Sequence, residues 1–118
     1  MNPESFLPVA PRDYLILFSL AGGDRHGYGI VVDVAESSER RVRLDPANLY
    51  RSMRRMVANG LVEDAGEDQG MDGSADRRRV YRITALGMAV VRREAARLAS
   101  LTESARARGL LSESGGAS

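Results

Sequence analysis

A helix with clear start and end signals lies near the middle of this sequence and restricts what the rest can form. Asp45 is a good N-cap residue, and Pro46 suits the first helical position after it. Apolar residues then recur at three- and four-residue spacing, and we expect them to face the core: Leu49, Met53, Met56 and Val57. Gly60, preceded by Asn59, supplies the left-handed residue that commonly ends a helix. A chain of 118 residues is the size of one domain, so this helix must pack inside a single small core.

A β-hairpin, or wing, is predicted directly after this helix. Residues 61–62 begin one strand, residues 63–76 form a loop rich in Gly, Asp and Glu, and residues 79–83 form a second, alternating strand. Thr84 can cap a last helix, which we expect over residues 85–108. A helix of that length is long for so small a chain.

Two further helices are predicted before the central one. Pro11 suits the start of a first helix that reaches about Leu20, and residues 27–37 favour a second helix after the break at residues 22–24. Residues 42–44 alternate in polarity and form a candidate strand. The order of three helices, a wing and a long helix indicates a mainly α (α+β) winged helix-turn-helix, with the third helix as the reading helix.

The same order divides the chain into four parts. We expect an N-terminal extension over residues 1–10 and a DNA-binding winged helix-turn-helix over residues 11–83. Residues 84–109 form the predicted C-terminal dimerisation helix, and residues 110–118 a disordered tail rich in Ser and Gly.

Positive charge is concentrated in two short stretches of a chain whose net charge is only +1. Residues 40–62 contain six arginines against Asp45, and residues 77–82 contain four arginines and no acid. Between them, residues 63–76 contain six acids and no base. There is no lysine, and arginine is the better residue for paired hydrogen bonds to phosphate and guanine. The pattern indicates an anion-facing surface, with two solvated faces as the alternative.

The residue types present argue against catalysis and metal binding. The chain has no cysteine and a single histidine, and it shows no catalytic triad, metal-ligand spacing or phosphate-binding glycine loop. We therefore expect no enzyme, no catalytic or metal-binding residues and no cofactor. No segment approaches the roughly 20 apolar residues of a membrane span, and residues 1–10 are unlike a signal peptide. These features predict a cytoplasmic, nucleoid-associated protein without membrane contact.

Four short motifs, in order and at fitting intervals, resemble the PadR family of transcriptional regulators. Residues 26–30 (HGYGI) resemble its His-Gly-Tyr signature, and residues 48–50 (NLY) resemble the Leu-Tyr element of its recognition helix. Residues 59–62 (NGLV) resemble its entry into the wing, and residues 78–87 (RRVYRITALG) its exit into the last helix. The resemblance covers roughly residues 12–90 and is to the branch with a single C-terminal helix.

This resemblance implies a homodimeric repressor that pairs through its last helix, on double-stranded DNA with a near-palindromic operator. It also implies a response to a small aromatic effector bound between subunits. Asp24, Ala47, Asn48 and Arg51 depart from residues frequent in the family, which affects the DNA sequence preference rather than the fold. We expect His26 to cap or pack at the start of the second helix, and Tyr28 to lie in the core.

The candidate DNA-binding residues lie on the outward face of the third helix and at the arginine-rich end of the wing: Asn48, Tyr50, Arg51, Ser52, Arg55, Arg77, Arg78 and Arg79. Arg51 can pair with guanine and Asn48 with adenine, whereas the wing arginines suit phosphate contacts. Because the loop residues 67–74 are acidic, we expect the wing tip to be mobile and to stay out of the minor groove. A solvated polar face, or a winged helix that binds protein instead of DNA, is the alternative.

The candidate dimerisation residues form a heptad-like seam along the last helix: Met88, Val91, Ala95, Leu98, Leu101 and Ala105. An isolated helix with such a seam is poorly stabilised, so a partner helix is expected, and folding of the seam onto its own domain is the alternative. Tyr14 and Phe18 are the candidate ligand-pocket residues, with an ordinary filled core as the alternative.

Overall fold

The computed structural model of the chain describes residues 2–69 and 77–112, and of residues 68, 69, 77 and 78 it describes the backbone alone. A short 3-10 helix, Pro3–Phe6, precedes the main elements. These are, in chain order, α1 (Pro11–Ala21), β1 (Arg25–His26), α2 (Gly27–Ser37), α3 (Pro46–Ala58), β2 (Val62–Gln69), β3 (Arg77–Ile83) and α4 (Ala85–Ala107). The predicted mainly helical winged helix-turn-helix with a long last helix is confirmed.

The caps expected from the sequence fix the two functionally important helices. The Asp45 carboxylate accepts the Asn48 backbone N–H at 2.8 Å at the start of α3. The Thr84 hydroxyl accepts the Gly87 N–H at 3.0 Å and donates to the Gly60 carbonyl at 2.6 Å. Thr84 therefore starts α4 and ties it to the end of α3, which sets the direction in which α4 leaves the domain.

The sheet differs from the sequence prediction in two places. It is antiparallel with order β1-β3-β2, and its third strand is Arg25–His26 rather than the predicted residues 42–44. The predicted loop over residues 63–76 was too long, because β2 continues to Gln69. Gly, Asp and Glu have low strand propensity, so the sequence here does not favour a strand. Backbone hydrogen bonds to β3 stabilise the strand nevertheless. A bulge between Asp64 and Gly66 interrupts the register.

The core joins all four helices to the base of the wing. Its buried members are Ile16, Leu17, Leu20, Ile30, Val34, Leu44, Met53, Met56, Leu61, Val62, Val90 and Val91. Two residues expected to face the core do not: Val57 is 40% exposed and Tyr28 is 73% exposed. Phe18, a candidate ligand-pocket residue, is half exposed. At 100° per residue, Val57 lies about 40° from Met53 on the side away from Met56, so it falls at the edge of the buried face of α3. Among the described residues, no helix is long and apolar enough to span a membrane.

The N-terminal segment is tied to α4 by two acidic residues. Glu94 is almost fully buried, and its carboxylate accepts two hydrogen bonds from Arg97, at 2.6 and 2.8 Å. The Val9 backbone N–H donates to the same carboxylate. Glu4 accepts from Arg93 at 2.6 Å nearer the chain start. The extension before α1 is therefore part of the folded domain.

We expect Glu94→Gln to remove an acid-sensitive part of the stability. The Arg97 hydrogen bonds, together with the one from Val9, lower the pKa of Glu94 despite its burial. A lowered folded-state pKa stabilises the native state above the unfolded-state pKa, and the stabilisation is lost as pH falls through the folded-state value. Urea unfolding from about pH 7 to about pH 3 gives the free energy of unfolding as a function of pH, and the acid limb is the part of this curve where that energy falls with pH. The acid limb should be flatter for Glu94→Gln than for the wild type.

Glu103→Gln is the matched control, since Glu103 is an exposed carboxylate paired with Arg106 on the same helix. It should leave the acid limb close to that of the wild type. Identical acid limbs for the wild type and Glu94→Gln would contradict the assigned role of Glu94.

Candidate nucleic-acid interface

The outward ridge of α3 carries two exposed arginines. With Met53 and Met56 buried, helical geometry places Arg51 and Arg54 on the opposite side. The Arg51 guanidinium donates to the Asn48 side-chain oxygen, and the Asn48 amide donates to Asp45 at 3.0 Å. Asn48 is neutral, and the Asp45 carboxylate accepts from Asn48, so no carboxylate pairs directly with Arg51. The charge of Arg51 therefore faces solvent.

Arg54 was missing from the sequence candidates and belongs to this ridge. Its guanidinium lies over the ring of Tyr50, 5.4 Å from the centroid, and both side chains are exposed. Such a contact holds the cation close to the outer face of the helix. The signal was present in the sequence, because Arg54 follows Arg51 by three residues and Tyr50 by four.

The prediction that Ser52 faces outward was wrong. Ser52 is 2% exposed, so it cannot reach a base edge in this structure. It follows Leu49 by three residues and precedes Met56 by four, which places it on the packed side of α3. Its small polar side chain suggested a surface position, but its position on the helix places Ser52 among the buried residues.

Arg55 and the wing residue Arg79 have acidic partners within the chain. Arg55 donates to both carboxylate oxygens of Asp13 on α1, at 2.5 and 2.6 Å. Arg79 pairs with Asp64 across the hairpin and with Glu67 at 3.3 Å. The Asp64 pKa is lowered, first by the Gly66 backbone N–H and then by Arg79. These arginines therefore present less net positive charge to a phosphate than the sequence suggested.

The remaining arginines of β3 are Arg77, Arg78 and Arg82. Arg82 pairs with Asp24 at 2.9 Å and with Glu63 at 3.4 Å. The backbones of Arg77 and Arg78 lie opposite Gln69 and Asp68, and their side chains are outside the described part of the structure. Of the predicted mobile tip, residues 67–74, the first three belong to β2 and the other five lie outside the described residues, as does most of the predicted tail, residues 113–118.

A wide apolar groove lies between the starts of α2 and α3 and the wing. It has a volume of about 790 Å³, and three tyrosines contribute to its wall: Tyr28, Tyr50 and Tyr81. Burial raises the pKa of Tyr81, which keeps its phenol neutral. The groove opens beside α3, which contributes Leu49 and Tyr50 to its wall.

The predicted dimer seam on α4 is only partly exposed. Val91 is a core residue of its own domain, so the prediction that it is free for a partner was wrong, and Met88 also packs against that core. Further along α4, Leu98 and Ala105 are half-buried and Ala95 is exposed, while Leu101 is 55% exposed. The first turns of α4 thus stabilise the domain, and the later turns carry the free apolar surface.

The two candidate ligand-pocket residues lie on α1 near α4. Their rings stack with centroids 5.9 Å apart. Tyr14 lines a groove of about 610 Å³ together with Leu98, whereas Phe18 is not part of its wall. At the start of α2, His26 occupies the predicted N-cap position, although its side chain makes no capping hydrogen bond.

The three-helix domain with its wing, its long last helix and the exposed arginines of α3 defines a winged helix-turn-helix regulator. Residues 16–93 match the model of the transcriptional regulator PadR-like family. This match spans more than half of the sequence, and the chain therefore belongs to the PadR-like family of transcriptional regulators.

Solved structures share this fold. The chain is similar to a transcriptional regulator from Clostridium thermocellum, at 26% identity and a TM-score of 0.63 over 82% of this chain and 87% of that one. A PadR family regulator from Clostridium difficile matches at 23% identity and a TM-score of 0.68, over 82% and 96%. Bacillus subtilis PadR, solved in complex with operator DNA, matches at 19% identity and a TM-score of 0.57, over 68% and 44%. No curated protein sequence matches the chain.

Proposed function

We propose that this regulator is a homodimeric repressor that binds a near-palindromic DNA operator through α3. The observation that carries the proposal is the outward ridge of α3. Its two arginines, Arg51 and Arg54, have no carboxylate within ion-pair distance among the described residues. A guanidinium presented this way can pair with guanine in the major groove or with phosphate. Asn48 and Tyr50 flank the ridge and extend the candidate contact surface.

Dimerisation through the later turns of α4 supports this function. The helix has 23 residues and is therefore about 35 Å long, and Leu101 is exposed on it beyond the part that packs against the core. Leu110 and Leu111 add exposed apolar surface after its end. A dimer places two recognition helices in successive major grooves, about 34 Å apart, which explains a near-palindromic operator.

We expect Leu101→Glu to weaken the dimer. The substitution places a charge in the centre of the proposed interface, where it has no partner, and leaves the monomer core untouched because Leu101 is exposed. Light scattering at micromolar concentration should show a dimer for the wild type and a smaller average mass for the variant. Arg108→Glu, a charge change on an exposed residue just beyond α4, serves as the control. A wild type that is monomeric at this concentration would contradict the proposed dimer.

A small aromatic effector that releases the repressor from DNA completes the proposal. The groove lined by Tyr14 and Leu98 supports it, since it lies beside the proposed dimer helix. An aromatic ligand there would contact both α1 and α4, and it would alter the distance between the two recognition helices of a dimer.

The first experiment compares DNA from upstream of the gene with random DNA of equal length, at low and at near-physiological salt. Saturable binding to the upstream DNA that persists at the higher salt is the expected result. Equal binding to both DNAs that is lost with salt would support only a non-specific electrostatic contact. A folded dimer that binds neither DNA would contradict the proposal and favour a winged helix that binds protein.

A further inference from the structure

A basic cleft lies on the side of α3 away from the wing. Four exposed arginines line it: Arg12 at the start of α1, Arg41 and Arg43 in the turn between α2 and α3, and Arg55 on α3. The cleft has a volume of about 460 Å³. Asp13 is the acidic residue of its wall, and it is already bound to Arg55.

The turn holds its two arginines in fixed outward positions. Val42 is half-buried against the core and Leu44 is buried, so the alternating residues 41 and 43 point to solvent. The Ser38 hydroxyl accepts the Val42 N–H at 2.9 Å and donates to the Ala35 carbonyl, which closes the turn onto the end of α2. This alternation was visible in the sequence, but it belongs to an ordered turn and not to a strand.

The distribution of ion pairs distinguishes the two sides of α3. On the wing side, Arg79 and Arg82 are each paired with two carboxylates. On the turn side, no ion pair within 4 Å involves residues 12, 41 or 43 in the part of the chain that the structure describes. Among the arginines beside α3 whose side chains the structure describes, those of the turn side are therefore the unpaired ones.

If α3 lies in the major groove of DNA, the width of the groove places one sugar-phosphate strand beside this cleft. An α-helix with its side chains is about 10–12 Å wide, and the major groove is about 12 Å wide. A helix seated there has a sugar-phosphate strand on each flank. Helical geometry places Tyr50 on the wing flank of α3, and Asn48 and Arg55 on the turn flank.

We infer that Arg12, Arg41 and Arg43 bind phosphates of the DNA strand that borders the major groove on the side away from the wing. The inference rests on the proposed function, because it requires α3 to occupy the groove. These contacts hold the protein in register without reading sequence. Arg79 and Arg82 of the wing, which are already paired with carboxylates, then contribute less to phosphate binding than the arginines of the cleft.

The test is a fluorescence-anisotropy titration of a random-sequence duplex and of the upstream DNA, at several salt concentrations. For Arg41→Ala/Arg43→Ala, we expect weaker binding to both duplexes by a similar factor. The slope of log K against log salt should fall by about one for each lost phosphate contact. Arg41→Lys/Arg43→Lys should restore most of the slope, because it retains the charge.

Arg92→Ala/Arg108→Ala is the matched control, since it removes two exposed arginines from the region of α4, outside the cleft. It should leave both the slope and the affinity close to the wild-type values. Circular dichroism and light scattering of each variant confirm that fold and mass are unchanged.

The outcomes separate the two proposals. A wild type that binds DNA while the Arg41/Arg43 variant retains its full slope would overturn the inference and leave the proposed function intact. A loss confined to the upstream duplex would also overturn it, because phosphate contacts affect all sequences alike. A wild type that binds neither duplex at low salt would overturn the proposed function and this inference with it.

Discussion

Gly87→Ala is expected to lower the free energy of unfolding by about 3 kcal/mol or more, which is the largest stability effect we expect from a single methyl group here. Gly87 is buried in the first turn of α4. A Cβ at this position would lie 2.1 Å from the Leu61 carbonyl oxygen and 2.8 Å from the Ile83 side chain. The first of these is a backbone atom, so a change of rotamer cannot relieve the clash.

The surrounding hydrogen bonds prevent an easy backbone shift. The Leu61 carbonyl accepts the Thr84 N–H at 3.1 Å, and the Leu61 N–H donates to Met56 at 2.9 Å. Leu61 thus joins the end of α3, the start of the wing and the start of α4. A displacement large enough to admit a methyl group would break this junction, which also sets the direction of α4 relative to the DNA-binding surface.

Thermal or urea unfolding of Gly87→Ala beside Gly29→Ala provides the measurement. Gly29 lies within α2, and a Cβ there meets nothing closer than 3.8 Å. Because alanine favours helix over glycine, Gly29→Ala should stabilise the protein by about 0.5–1 kcal/mol. The same Gly→Ala change should therefore lower the free energy of unfolding at position 87 and raise it at position 29. A stability of Gly87→Ala within about 0.5 kcal/mol of the wild type would contradict the close approach of α4 to Leu61.

Most helix positions could be predicted because their signals are local. Asp45 and Pro46 start α3 where expected, and Thr84 starts α4, since a cap depends on residues only three apart. The strand Arg25–His26 could not be predicted in the same way. It is only two residues long, and it exists because β3, more than 50 residues later, pairs with it.

The candidate site shows the same division between local and distant causes. The exposure of Arg51 follows from the register of α3, and the burial of Ser52 follows from the same register. The pairing of Arg55 with Asp13 joins residues 42 positions apart, so no local pattern around Arg55 indicates that its charge is partly neutralised. The charge pattern indicated basic stretches correctly, but only the fold separates paired arginines from free ones.

Arg51→Ala is expected to reduce affinity for the operator by about 1–3 kcal/mol, which is roughly 5- to 150-fold in Kd. Arg51 lies on the outward ridge of α3, and its guanidinium is held by the neutral Asn48 side chain instead of a carboxylate. It therefore keeps its charge and its hydrogen-bond donors for a guanine edge. Because Arg51 is exposed, the unfolding free energy should change little.

Arg51→Lys separates base reading from simple charge attraction. Lysine keeps the positive charge but lacks the planar pair of donors that matches guanine. We expect it to bind random DNA like the wild type, with the same salt slope, and to lose much of the preference for the operator. Anisotropy titrations against both duplexes measure the ratio of the two affinities. If Arg51→Ala and Arg51→Lys both retain the wild-type ratio, Arg51 does not read a base, and Arg54, the other arginine of the ridge, becomes the residue to test.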